Sequence, residues 1–251
     1  MSEQLLPNYH RKFLTDKRWL TKESAHYIFH YFPQSVAEQD IEVIAKRQEE
    51  AFAKIIKFLK VAEPEKKIIY YFYPNPETKK ELMGDDWYAQ AIYQDFTVHI
   101  LYTETDKPLG EHEDTHLLSL PWGLSIGLFQ EGLAEYLVGH GWHGENHDDL
   151  VRDGLGRNIF PPIGELLEHK KWLALDDSNA LYNYALVGSF TKFLIDNYGR
   201  DKFEQVYRLT SRGKTKEENR EVFLKIYGES IEEVEESWKQ ALIHADLTRL
   251  R

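Results

Sequence analysis

Strand-like runs separated by helical patterns characterise the first part of the chain. Three runs rich in β-branched and aromatic residues predict strands, because such side chains pack well on a pleated, half-buried surface. These runs are Tyr27–Phe32, Lys67–Tyr73 and Phe96–Tyr102. Between the first two, apolar residues recur at helical spacing through to Lys60, which predicts one long amphipathic helix. Ser35, followed three residues later by Glu38, has the sequence of a capping box at its start.

Helical patterns fill most of the second half of the chain. The predicted helices are Gly164–Trp172, Asn179–Asn197, Asp201–Ser211, Lys216–Tyr227 and a last one from Ile231 to the end. Ser230 with Glu233 repeats the capping-box pattern before the last of them. Residues 77–83 predict a further short helix that Gly84 closes. Residues 1–25 are polar and have no clear period, so they are expected to form an extended arm.

The predicted fold class is α+β, with a mixed N-terminal lobe followed by a helical C-terminal lobe. Residues 1–25 form the arm, residues 26–130 the α/β lobe with a small sheet, and residues 131–251 the helical lobe. Ligand sites are common in clefts between such parts, so the functional site is expected between the two lobes.

Composition narrows the possible classes of function. The 251 residues carry a net charge of −11, which argues against nucleic-acid binding because that requires a basic face. There is no cysteine, and this excludes disulfides, thiolate metal sites and a cysteine nucleophile. The apolar stretch Leu117–Gln130 is shorter than the roughly 20 residues of a membrane-spanning helix and contains Pro121, so no membrane span is predicted. The segment Met1–Pro7 lacks the features of a signal peptide, which makes a cytoplasmic location the default expectation, with an exported protein trimmed of its signal peptide as the alternative.

A metal-binding motif occupies residues 112–116, His-Glu-Asp-Thr-His. Positions i and i+4 share one face of a helix, so His112 and His116 can together bind one zinc ion. Glu113, between them, can reach a water molecule held by that ion. Because such a motif also arises by chance on surface helices, the residues that follow it decide its interpretation.

Glu131 provides that context, since it opens the sequence Glu-Gly-Leu-Ala-Glu-Tyr at the predicted start of another helix. Its carboxylate would complete a His₂Glu site and leave the fourth zinc position open for water, as in catalytic sites. Glu135, one turn further, is placed to accept a hydrogen bond from a ligand histidine. Gly132 is expected to let this helix approach the helix of His112 and His116 closely.

Together these motifs resemble the gluzincin metallopeptidases of the thermolysin-like clan, and most closely the peptidase MA-like domains. The segment Tyr184–Phe190 and the residues after it are similar to a helix of that family, and residues 223–238 look like its closing helix pair. The resemblance covers roughly residues 60–245. It implies one zinc ion per chain and hydrolysis of peptide bonds in a peptide or protein substrate.

The resemblance also implies roles for individual residues. Glu113 would act as general base, and Tyr184 is the candidate to stabilise the tetrahedral oxyanion, with Tyr182 as the neighbour with which it can be confused. The third predicted strand is the candidate for the sheet edge beside the cleft, where an extended substrate would pair. Asp114 departs from the family pattern, which usually has an apolar residue at that position.

The remaining histidines have simpler interpretations. His99 is interpreted as a packed or solvent-facing residue of the third strand. His140, His143 and His147 belong to the glycine-rich segment 139–149 and offer an alternative second metal site. A flexible loop positions ligands poorly, so a rim of the cleft is the favoured interpretation of this segment.

Three functions are compatible with these residues. The main hypothesis is a zinc-dependent metallopeptidase. The alternatives are a binding or regulatory protein that keeps the fold without turnover, and a zinc hydrolase acting on non-peptide amides. Glu113 favours an enzyme, because a binding protein has no need of a general base there. The sequence leaves open the substrate, the choice between endo- and exopeptidase, and the oligomeric state.

Overall fold

The chain has the predicted α+β fold in the computed structural model, which describes residues 11–249. It divides into two compact units, residues 1–119 and 120–251. The first contains a five-stranded mixed sheet and the second is helical. The limits predicted at residues 25 and 130 stay predictions. The part of the predicted arm before residue 11 and the last two residues of the final predicted helix lie outside the described residues.

In the first unit, helices lie between some of the strands of the sheet. Its elements are β1 (Leu20–Glu23), β2 (Tyr27–Tyr31), α1 (Val36–Leu59), β3 (Ile68–Tyr73), α2 (Pro76–Met83), β4 (Ala89–Ile92), β5 (Thr97–Leu101) and α3 (Glu111–Leu118). The strand order is β1-β2-β3-β5-β4. The central strands β2, β3 and β5 are parallel, whereas β1 and β4 run antiparallel at the two edges.

The sequence pattern did not predict the two edge strands of the sheet. β1 lies within the segment expected to be an extended arm, where Leu20–Glu23 pairs with β2. β4 pairs with the outer side of β5, so the prediction that the third strand is the sheet edge was wrong. Edge strands are often short, polar or charged, because long apolar edges promote aggregation, and this weakens their signal in the sequence.

Helix ends in the first unit follow the capping signals closely. Ser35 Oγ accepts the backbone N–H of Glu38 at 3.2 Å, as predicted for the start of α1. The Glu38 carboxylate accepts the N–H of Gln34 rather than that of Ser35, so the reciprocal half of the capping box is shifted by one residue. Gly84 ends α2 with φ of 100°, a left-handed conformation that glycine adopts without strain.

His99 is a packed strand residue at the centre of an aromatic layer. Its ring stacks on Tyr71, with 4.9 Å between the ring centroids. Both ring nitrogens have hydroxyl partners, with Nδ1 2.9 Å from the oxygen of Tyr73 and Nε2 3.0 Å from Oγ1 of Thr97. The side chain is fully buried, and this burial holds the pKa of His99 well below its usual value.

This buried histidine should make the protein less stable in mild acid. The pKa of His99 is lower in the folded state than in the unfolded state. Its contribution to the free energy of unfolding is therefore fully present above pH of about 6.5 and falls as the pH drops towards the folded pKa. In that window one such group contributes a slope of about 1.4 kcal/mol per pH unit. Urea unfolding between about pH 7 and pH 5 measures it.

His99→Gln should flatten the pH dependence of the unfolding free energy, whatever its effect at neutral pH. His140→Gln is the matched control, because His140 is exposed and should leave the slope unchanged. Equal slopes for the wild-type protein and His99→Gln would contradict the assignment.

The second unit consists of helices joined by short segments. They are α4 (Gly127–Val138), α5 (His147–Gly156), α6 (His169–Trp172), α7 (Ala180–Tyr198), α8 (Arg200–Leu209), α9 (Lys216–Tyr227) and α10 (Ile231–Arg249). Tighter 3-10 turns occur at Leu120–Trp122, Ile163–Leu167 and Asp177–Asn179. Between residues 11 and 249, no helix is long and apolar enough to cross a membrane.

Three boundaries in this unit differ from the prediction. The segment predicted as one helix over 164–172 is broken at Glu168, whose backbone is extended, into a 3-10 turn and α6. α4 begins one turn before Glu131, so Glu131 lies inside the helix rather than at its start. α5 begins at His147, which removes that residue from the predicted loop.

Candidate metal centre

Helix α3 presents His112 and His116 on one face. The two ring centroids are 4.8 Å apart and the ring planes are nearly perpendicular, as expected for positions one turn apart. His116 is buried and His112 is half-buried. α3 packs against α1 and the edge strand β4, and Tyr93, which directly follows β4, has its ring 6.5 Å from that of His116.

Glu113 is half-buried between the two histidines in the sequence of α3. Within residues 11–249, its carboxylate makes no hydrogen bond or ion pair. Carboxylates without such commitments can exchange a proton with a bound water or substrate. The side chain is therefore chemically available, in contrast to the acidic residue that follows it.

Asp114 faces the interior of the first unit, with no exposed surface. Its Oδ2 accepts hydrogen bonds from the hydroxyl of Tyr27 at 2.7 Å and from Nε2 of Gln48 at 3.0 Å. Its Oδ1 lies 2.5 Å from the hydroxyl oxygen of Tyr70. Burial raises the pKa of Asp114 to about 8, against the effect of the hydrogen bonds from Tyr70 and Tyr27.

Glu131 lies on α4, and its carboxylate completes a group with the two histidines of α3. One ligand atom from each of His112, His116 and Glu131 lies within 4.8 Å of the others. Among the described residues, no further group of three or more His, Cys, Asp or Glu side chains has this geometry. The alternative metal site in the segment 139–149 therefore has no support from the fold, and His140 and His143 are exposed there.

The start of α4 is held by side chains that sequence reasoning missed. The Gly127 N–H donates to Nδ1 of His169 at 3.0 Å, and Arg212 donates to the Ser125 carbonyl at 3.1 Å and to Gln130 Oε1 at 2.7 Å. Burial, and then the charge of Arg212, lowers the pKa of His169 to about 4. With Nδ1 accepting, the neutral ring carries its hydrogen on Nε2. No motif in the sequence marks His169 or Arg212 for this role.

Gly132 lies against α7, and its expected role in the approach to the helix of His112 and His116 stays a prediction. A β-carbon at this position would collide with Thr191 Oγ1 and approach the Val187 carbonyl oxygen to 2.9 Å, and both residues belong to α7. Gly132 therefore serves the close packing of α4 against α7. The sequence shows that a small residue is required but does not show which neighbour requires it.

Glu135 contacts a histidine that lies outside the candidate ligand group, and its expected hydrogen bond to a ligand histidine stays a prediction. Its Oε2 lies 2.9 Å from Nε2 of His147, and both side chains are buried. Gly188 leaves room for this pair, because an added β-carbon there would lie 2.7 Å from Glu135 Cβ and 2.9 Å from His147 Nδ1. His147, predicted as a loop residue, is thus part of the packing between α4, α5 and α7.

The structure separates the two tyrosines at the start of α7. The hydroxyl of Tyr182 donates to Asp153 Oδ2 at 2.7 Å and accepts from Nη1 of Arg157 at 2.8 Å, so it is committed to a surface ion pair. The ring of Tyr184 instead packs edge-on to Trp172, with 5.4 Å between centroids. Trp172 in turn occupies the space beside Gly127, the first residue of α4. Trp172 therefore contacts both Tyr184 and α4, the helix that carries Glu131.

Comparison with known proteins adds no identification. No protein-family model matches the chain, and no curated protein matches it.

Proposed function

We propose that this protein is a zinc-dependent hydrolase that cleaves peptide bonds, similar to the gluzincin metallopeptidases. One observation carries the proposal, namely the proximity of ligand atoms from His112, His116 and Glu131 within 4.8 Å. Two imidazole nitrogens and one carboxylate oxygen form the donor set of His₂Glu catalytic zinc sites. With three protein ligands, one tetrahedral position remains for water or substrate.

In the proposed reaction, separate residues have separate roles. A bound zinc ion would lower the pKa of its water from 15.7 towards about 7 and polarise the scissile carbonyl. Glu113 is the general base, because it follows His112 on α3 and its carboxylate is uncommitted in the described part of the chain. It takes the proton of the attacking water and passes it to the leaving amine. Tyr184 is the proposed donor to the oxyanion.

The edge strand β4 is the proposed binding place for an extended peptide. Among the described strands, its outer side has no pairing partner. α3 packs against β4, and Tyr93 follows β4 next to the ring of His116. A peptide added to this edge would gain main-chain hydrogen bonds and run past α3. This replaces β5, which was expected in that role and lies inside the sheet.

Metal analysis of the purified protein tests the proposal. After incubation with zinc and removal of the excess, we expect one zinc ion per chain and hydrolysis of members of a mixed peptide library. His116→Ala should abolish both, because it removes a buried ligand.

His143→Ala is the matched control, because it removes an exposed histidine outside the group and should leave zinc and activity unchanged. A wild-type protein without zinc, or equal zinc contents in the wild-type and His116→Ala proteins, would contradict the proposal.

A further inference from the structure

A buried polar cluster holds the face of α3 opposite its two histidines. We define the Asp114 cluster as Asp114 on α3, Tyr27 on β2, Tyr70 on β3 and Gln48 on α1. Asp114 is two residues from each of His112 and His116, which places it about 160° around the helix axis from both. All four side chains are fully buried.

The cluster fixes α3 from three separate elements of the first unit. Hydrogen bonds to Asp114 come from β2 through Tyr27, from β3 through Tyr70 and from α1 through Gln48. Gln48 Nε2 also donates to the Tyr70 hydroxyl at 2.8 Å, which links two of the donors to each other. Because the donors lie on three different elements, we expect a rotation of α3 about its axis to break at least one of these bonds.

Tyr70 also sets the position of α3 along its axis. The Tyr70 hydroxyl lies 3.2 Å from the carbonyl oxygen of Gly110, the residue that precedes the helix. A β-carbon on Gly110 would overlap that hydroxyl, so only glycine allows this approach. The Gly110 carbonyl also accepts the N–H of Asp114 at 2.6 Å. Tyr70 therefore contacts both the start of the helix and the first turn.

We infer that the Asp114 cluster is a positioning device that sets the rotation and axial position of α3, and so holds His112 and His116 in the orientation that binds metal. The inference rests on the proposed function, because it assigns the histidines a metal. It also explains why a buried acid replaces the apolar residue at position 114. An apolar side chain would be buried equally well, but it would accept no hydrogen bond and would leave the rotation of α3 less defined.

The test removes the two tyrosine hydroxyls without changing Asp114 or any proposed ligand. In Tyr27→Phe/Tyr70→Phe we expect zinc affinity to fall about 10–100-fold, the usual cost of losing an interaction that orients a ligand. The absorption spectrum of the cobalt-substituted protein should also change, because it reports ligand geometry. Hydrogen exchange measured by mass spectrometry should become faster in residues 111–118.

Tyr73→Phe is the matched control for loss of a buried hydroxyl. Tyr73 lies on the same strand as Tyr70 and is equally buried, and its hydroxyl contacts His99. We expect this variant also to lose stability, while keeping the zinc affinity, the cobalt spectrum and the exchange rates of residues 111–118. Affinity is measured by competition with a chromophoric chelator under conditions in which all variants are folded.

The outcomes separate this inference from the proposed function. If the wild-type protein binds zinc and the double variant binds it as tightly as Tyr73→Phe does, the positioning role is overturned while the metal site stands. If the wild-type protein binds no zinc, the proposed function fails and the metal-orienting role fails with it. Hydrogen exchange then still decides the structural part, since unchanged rates in residues 111–118 of the double variant would show that the cluster does not fix α3.

Discussion

Replacing Glu113 with glutamine should leave zinc bound and slow peptide hydrolysis by about 100-fold or more. Glutamine keeps the shape and hydrogen-bonding reach of the side chain but does not accept a proton at neutral pH. Because the carboxylate is uncommitted in the described residues, its replacement should disturb the fold little. The measurements are kcat on a cleaved peptide, zinc content and thermal stability of the same preparation.

Glu111→Gln is the matched control for this experiment. Glu111 is also a half-buried acidic residue of α3, but it lies outside the motif and has no assigned role in proton transfer. Its replacement should leave the rate within about two-fold, as for surface changes away from the chemistry. Loss of zinc together with rate in Glu113→Gln would show that Glu113 binds the metal instead of acting as base.

The two glutamates of α4 should respond differently to removal. Glu131→Ala should abolish tight zinc binding, because its carboxylate is the third member of the ligand group. Glu135→Ala should keep zinc but weaken its affinity about 10–100-fold. It should also lower the melting temperature, because it leaves the buried ring of His147 without the carboxylate 2.9 Å away. Zinc affinity by chelator competition and thermal unfolding measure both effects.

His147→Gln separates the two effects of Glu135. If Glu135 acts on the metal site through the packing around His147, this variant should weaken zinc to a similar degree. If Glu135 orients a ligand directly, His147→Gln should lower stability and leave zinc affinity unchanged. Retention of zinc by Glu131→Ala together with its loss from Glu135→Ala would reverse the ligand assignment.

The sequence predicted those parts of the fold whose signals are local. Capping residues such as Ser35 and long apolar periods define helix ends and lengths through contacts within a few residues, and α1 and α9 agree closely with the prediction. The central strands carry aromatic and β-branched residues and were also found. β1 and β4 were missed because a short edge strand depends on its neighbour rather than on its own composition.

Within the candidate site, spacing predicted which residues share a helix face but not what each one contacts. Helix periodicity alone predicts that His112 and His116 share one face. The contacts of Asp114 with Tyr70, of Glu135 with His147 and of Gly132 with α7 depend on tertiary packing, and the sequence indicated none of them. Asp114 is the clearest case, since a buried acid is interpretable only once the hydroxyls that satisfy it are known.

The parallel arrangement of β2, β3 and β5 has a consequence for the order in which the first unit folds. Parallel neighbours cannot be joined by a hairpin, and the connection from β2 to β3 passes through the 24 residues of α1. Tyr27 and Asp114 are 87 residues apart along the chain, so their hydrogen bond forms only after these crossovers have closed. Helix α3 should therefore reach its final position late. A metal ion would then bind an almost complete unit and stabilise it by mass action, instead of nucleating the fold as in a zinc finger.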